Sequence, residues 1–138
     1  MKKLFFILLC GLMGAATLNA QTWQIGSPNA ADVTATLENG TLTISGTGNV
    51  QNWNSSGDVP WDNDRTSINM VIIEEGIYSF NSTYLAFWNC TALTSIEVAE
   101  ANSVFSSDDG VLYNKNKTTQ ILCPPKTGSN HSRKRSNH

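Results

Sequence analysis

Two short stretches of this chain carry the same apolar spacing, twenty-five residues apart. Ile68-x-x-Val71-x-Ile73 returns as Leu93-x-x-Ile96-x-Val98. Before the second copy, Ala86, Phe87, Cys90 and Leu93 extend the pattern at a spacing near three, which then shortens to two through Ile96 and Val98. Neither a 3.6-residue helix nor a simple alternating strand gives that mixture. The spacing predicts an arc on which Phe87, Cys90 and Leu93 turn inward, followed by a short strand. Such a coil cannot cover its own apolar face and needs a neighbour on each side. A period of this length lies in the range of stacked repeats.

The segment Ala86-Phe87-x-x-Cys90-x-x-Leu93-x-x-Ile96-x-Val98 resembles the BspA-like leucine-rich repeat of bacterial surface and secreted proteins. That family repeats an A-F-x-x-C-x-x-L-x-x-I-x-I core followed by P-x-x-V-x-x-I. Here Ile73 to Phe80 stands in the second part, and the step from Phe80 to Ala86 is two residues longer, which reads as a bulged first coil. Gly40 to Gly48 and Pro60-Trp61-x-x-x-Arg65-x-x-Ile68 are similar to the segment that precedes these repeats. The run Phe105-x-Ser107-x-Asp109-Gly110-Val111-Leu112-Tyr113-Asn114, with Thr118 and Ile121, is similar to a hairpin insertion among them. The resemblance covers roughly Val33 to Gly128. It implies a β-dominated leucine-rich-repeat solenoid of short parallel strands with turns or short helical segments, closed by an N-terminal β-hairpin cap. It also implies an exported, adhesin-like binding module that contacts a protein or a host or cell-surface ligand. Ala86, Phe87, Cys90, Leu93, Ile96 and Val98 form its expected repeat core, and Leu42, Ile44, Trp61 and Ile68 are expected to close the N-terminal end.

Residues 1–20 read as a secretory signal peptide, with Lys2 and Lys3, an apolar run from Leu4 to Leu12, and Leu18-Asn19-Ala20 at the cut. The run is too short for a transmembrane span. Cys10 suggests acylation, but bulky Leu9 stands where a small residue is expected. Residues 21–66 are then the β cap. Within it, Gln21 to Ala31 reads as a loose polar leader, with Trp23 and Ile25 as candidates to begin a strand. Val33–Leu37 and Thr41–Ser45 flank Asn39-Gly40, a strong hairpin signal. A polar loop is expected to follow as far as Val59. Residues 67–128 are the repeats with their inserted hairpin: a polar run from Asn102, a turn at Asp109-Gly110, and strands at Val111–Tyr113 and Thr118–Cys123 that stop at Pro124-Pro125.

Residues 129–138 are a polar tail. One codon choice for that tail, read one nucleotide later, gives Ala-Ile-Ile-Pro-Glu-Ser-Val-Ala-Ile, which fits the family pattern. The expectation is a truncated, frameshifted fragment of a longer repeat protein that self-associates through its uncapped C-terminal end.

From Gln21 to Gly128 there are four cations, Arg65, Lys115, Lys117 and Lys126, against eleven anions, a net charge of −7. Nucleic acid is disfavoured as a partner, since phosphate binding needs clustered Lys and Arg. No histidine occurs before His131, so nucleophile–histidine catalysis lacks its base. Glu74-Glu75 would point to opposite faces of an extended strand. Asp108-Asp109 and Asp62-x-Asp64 lack a third calcium ligand, and two mature cysteines are too few to close a zinc site. Gly46-Thr47-Gly48 has no helix after it to make a phosphate cradle. No catalytic, cofactor-binding or metal residue is therefore assigned, and the chain is not expected to be an enzyme. The alternative is a carbohydrate-binding module using exposed aromatics, Trp53, Trp88 or Tyr84, with Trp53 the candidate ligand contact, a role the sequence leaves open against burial in the cap.

Overall fold

The computed structural model describes residues 20–125. Residues 1–19, read above as a signal peptide, residues 126–128 and the polar tail lie outside the described residues. Eleven strands, named here β1 to β11, and one short helix are described. They are β1 Gln21–Gln24, β2 Gly26–Ser27, β3 Val33–Glu38, β4 Thr41–Gly46, β5 Gly48–Val50, β6 Met70–Ile73, β7 Ile77–Ser79, α1 Thr83–Ala86, β8 Ser95–Val98, β9 Phe105–Asp108, β10 Val111–Asn114 and β11 Gln120–Leu122. Three-residue-turn helices occupy Ala30–Asp32, Ser56–Asp58 and Asp62–Ser67.

The strands form three sheets. A five-stranded sheet runs β1-β3-β4-β6-β8, and two three-stranded sheets run β11-β10-β9 and β2-β5-β7. The large sheet is mixed: β1, β3 and β4 pair antiparallel, whereas β4, β6 and β8 run parallel. Asn39 and Gly40, at φ 53° and 83°, make the two-residue turn between β3 and β4. Both central positions of this turn type need positive φ, which Asn tolerates and Gly adopts freely.

The twenty-five-residue spacing is the parallel register of β6 on β8. Val71 lies opposite Ile96, and Ile73 opposite Val98. The row continues across the sheet, with Leu42 beside Val71 and Ile44 beside Ile73, then Leu37 beside Leu42 and Ala35 beside Ile44. Period-two alternation puts these side chains on one face, and all but the half-buried Val98 are buried.

The expected solenoid with a separate hairpin cap is not what forms. The repeat spacing occurs only twice, fewer than the three or more copies that stacked repeats need. The hairpin is no lid over an end: β4 is the central strand of the mixed sheet, its antiparallel partner β3 lies on one side, and β1 pairs antiparallel with β3 at the edge. The remaining strands are divided between two smaller sheets.

Two local expectations also change. The stretch read as a loose leader, with Trp23 and Ile25 as candidates to begin a strand, is ordered on both sides of Ile25 and pairs twice, β1 with β3 and β2 with β5. Strands β5 and β9 arise inside runs read as polar loop, because each is held by a neighbour, β7 and β10 respectively.

An aromatic cluster fills the space under the sheet. Trp61 lies 5.8 Å from Trp23, 5.7 Å from Trp53 and 6.3 Å from Phe87, ring centre to ring centre, and Phe80 packs 5.7 Å from Phe87. The indole N–H of buried Trp61 donates to the Ala86 carbonyl at 2.9 Å, as a buried tryptophan requires.

Candidate functional site

The arc after α1 shows why the sequence spacing is near three. The Cys90 amide donates to the Phe87 carbonyl and the Leu93 amide to the Cys90 carbonyl, both at 3.1 Å. Successive three-residue turns return side chains to the same side, so Phe87, Cys90 and Leu93 all face inward and are buried. Ala86 and Ile96 are fully buried as well. Asn89, at φ 61°, supplies the left-handed residue that lets the chain reverse.

The arc is held from below by Arg65, which is only 5% exposed. Its guanidinium donates to the carbonyls of Ala86 at 2.9 Å, Trp88 at 2.7 Å and Ser56 at 2.8 Å, and to the Asp62 carboxylate at 2.7 Å. A buried guanidinium is tolerable when its rigid fork is matched in this way. With the backbone carbonyls tied inward, the outer side of the arc presents Tyr84 and Trp88. These rings are 61% and 45% exposed and touch each other, with centroids 5.4 Å apart and tilted by 55°.

Leu122, Cys123, Pro124 and Pro125, at the end of β11, form a wall facing this arc. Between them is an open groove of about 240 Å³, with Phe87, Cys90 and Leu93 at its base and mostly apolar atoms on its sides. Burial pushes the Cys90 thiol up from its usual range, and the nearby Arg65 charge and hydrogen bond offset part of that.

A second concavity, of about 770 Å³, opens where β4 and β6 end. Thr43, Ser45, Thr47, Glu74, Glu75, Tyr78 and Ser103 line it. Glu74 and Glu75 follow β6 rather than continuing it, so both border this basin instead of facing apart. Beneath it Asn102 is fully buried and uses both ends of its amide. Its nitrogen donates to the Glu74 and Ile77 carbonyls, and its oxygen accepts from the Val104 and Phe105 amides at 2.8 Å each.

Trp53, expected as the candidate ligand contact, is placed elsewhere. It is 8% exposed, packs edge-on against Trp61, and its backbone amide donates to the Ser82 hydroxyl. A ring spent on the core cannot stack on a ligand, so Tyr84 and Trp88 remain as the accessible pair. Arg65 and Asn102 were not singled out from the sequence. Arg65 stands in the Pro60-Trp61-x-x-x-Arg65 pattern, which is a signal. Asn102 sits in a polar run and carries none.

Among the described residues, no group of three or more His, Cys, Asp or Glu is placed to hold a metal ion. No helix among them is long and apolar enough to cross a membrane.

No protein-family model matches the chain, and no curated protein matches it. Among solved structures it is similar to the crystal structure of a leucine-rich repeat protein from Eubacterium ventriosum ATCC 27560. The identity is 19% over 80% of this chain and 53% of that one, with a TM-score of 0.39. The chain thus spans about half the length of that protein.

Proposed function

We propose that the chain is an exported, adhesin-like binding module that contacts a protein ligand at a host or cell surface through the groove beneath Tyr84 and Trp88. The carrying observation is the exposure of these two touching rings above an apolar base. Large aromatics left in water at a concave apolar surface are typical of recognition sites, where they contribute much contact area with few torsions to freeze. Export rests on the signal-like residues 1–20. Kinship with the BspA-like repeats of surface proteins rests on the Ala86-Phe87-x-x-Cys90-x-x-Leu93 motif and is part of the same reading. The acidic balance and the lack of histidine before His131 favour binding over catalysis and over nucleic acid.

Carbohydrate is the second reading, favoured by the open ring faces of Tyr84 and Trp88. The apolar sides of the groove count against it, because a sugar's hydroxyls need polar partners once they leave water. The full chain, labelled and applied to an array of extracellular-matrix proteins and to a glycan array, separates the two. Retention on a matrix protein that Trp88→Ala removes, with thermal unfolding unchanged, is the expected result. Retention on glycans alone would transfer the function to the second reading. Retention that survives Trp88→Ala would place the contact outside this groove.

A further inference from the structure

We propose that Cys90 and Cys123 join in a reversible disulfide that sets the width of the groove. They are the only cysteines among the described residues, and they reach the same groove from opposite sides, Cys90 on the arc and Cys123 directly after β11. Both are thiols in this structure. A bridge requires their Cα atoms to come within about 7 Å. The wall carrying Cys123 is the end of a three-residue edge strand, so closure needs movement of that short segment and not of the large sheet. The inference rests on the proposed export, since disulfides persist in oxidising compartments.

The two thiols have unequal access, and this orders the steps. Cys123 is half-buried at the groove wall, whereas Cys90 is 1% exposed at its base. With a small disulfide such as oxidised glutathione as the oxidant, the Cys123 thiolate attacks one glutathione sulfur. The glutathione S–S bond breaks, and one glutathione thiolate leaves and takes a proton from water. The Cys90 thiol then loses its proton and attacks the Cys123 sulfur, releasing the second glutathione. Two protein thiols become one disulfide, and one glutathione disulfide becomes two thiols. The bridge would tie Pro124 and Pro125 to the arc and hold β8 to β11 within a closed loop, which restrains the unfolded chain as well.

The test uses the wild-type full chain, equilibrated in a reduced and oxidised glutathione buffer, alkylated, cut with trypsin and read by mass. Its three cysteines fall on three different tryptic peptides, so each pairing has its own mass. The expected product joins Thr66–Lys115 to Thr118–Lys126, and it is about tenfold or more favoured in native buffer over concentrated urea at the same glutathione ratio. Three results would overturn the inference: glutathione left on Cys123 with Cys90 alkylated, a chain dimer through Cys123, or equal bridging with and without urea. None of these readouts involves the ligand arrays, so the bridge and the binding reading can fail separately.

Discussion

The two concavities differ in what lies beneath them and in what they offer a partner. The groove under Tyr84 and Trp88 is small and apolar, and rests on side chains turned inward by a backbone that Arg65 holds by its carbonyls. The basin beyond β4 and β6 is larger and polar, and rests on one buried amide, Asn102. Size alone would favour the basin. Physical chemistry favours the groove. The hydroxyls and carboxylates of an open basin already hold water, so exchanging it for a ligand gains little per bond. Apolar surface leaving water gains roughly 25 cal/mol per Å². The lesson is that buried polar groups shape the surface here, while the exposed apolar ones are what the proposed binding reading draws on.

Substitutions below each concavity sharpen that contrast. Leu93→Ala removes a fully buried side chain from the base of the groove. It should cost about 2–5 kcal/mol in denaturant unfolding; a midpoint equal to wild type would mean the base is not packed as described. Asn102→Ala, beneath the basin, leaves two carbonyls and two amides without this partner, and should cost about 1–3 kcal/mol. Asn102→Asp is a useful companion, because it keeps the acceptor and loses the donor. If it behaved as wild type, the bonds to Glu74 and Ile77 would not matter.

The Cys90 thiol gives a pH signature. Its folded pKa lies above its unfolded one, so the folded chain holds the proton longer. Stability is therefore fully present below about pH 8.5, the ordinary thiol value, and declines as pH rises toward the raised folded value. Under reducing conditions wild type should lose more stability across that window than Cys90→Ala; matched profiles would refute the burial effect. Smallest is Thr94→Ala. Thr94 is exposed, and its side chain gives only a 3.1 Å hydroxyl bond to the Asn69 carbonyl, which the unchanged backbone amide also reaches, so the change should stay within about 0.5 kcal/mol.

How much of this was legible in the sequence depends on how local each signal is. The β6–β8 register could be read because Ile68-x-x-Val71-x-Ile73 and Leu93-x-x-Ile96-x-Val98 record it directly. The β3–β4 hairpin could be read because only certain residues tolerate positive φ at Asn39 and Gly40. Global architecture could not. Whether β3 lies beside β4 as a cap or as part of the same sheet depends on pairings that no local pattern states. Strands β5 and β9 are polar and short, and exist because β7 and β10 complete their hydrogen bonds. Trp53 has no periodic neighbours to mark it as core; its burial follows from Trp61 and Phe80 arriving beside it from elsewhere in the chain. Tyr84 and Trp88 are candidate aromatics in the sequence, but their four-residue spacing becomes a contact only once α1 and its following turn form.

The contrast between the two concavities is tested most directly by one paired binding measurement. Wild type, Trp88→Ala and Glu75→Gln are compared on the same matrix-protein array, each first confirmed as folded by its thermal transition. The expected result is that Trp88→Ala loses retention while Glu75→Gln keeps it. Loss with Glu75→Gln and retention with Trp88→Ala would move the binding surface to the polar basin and contradict the account.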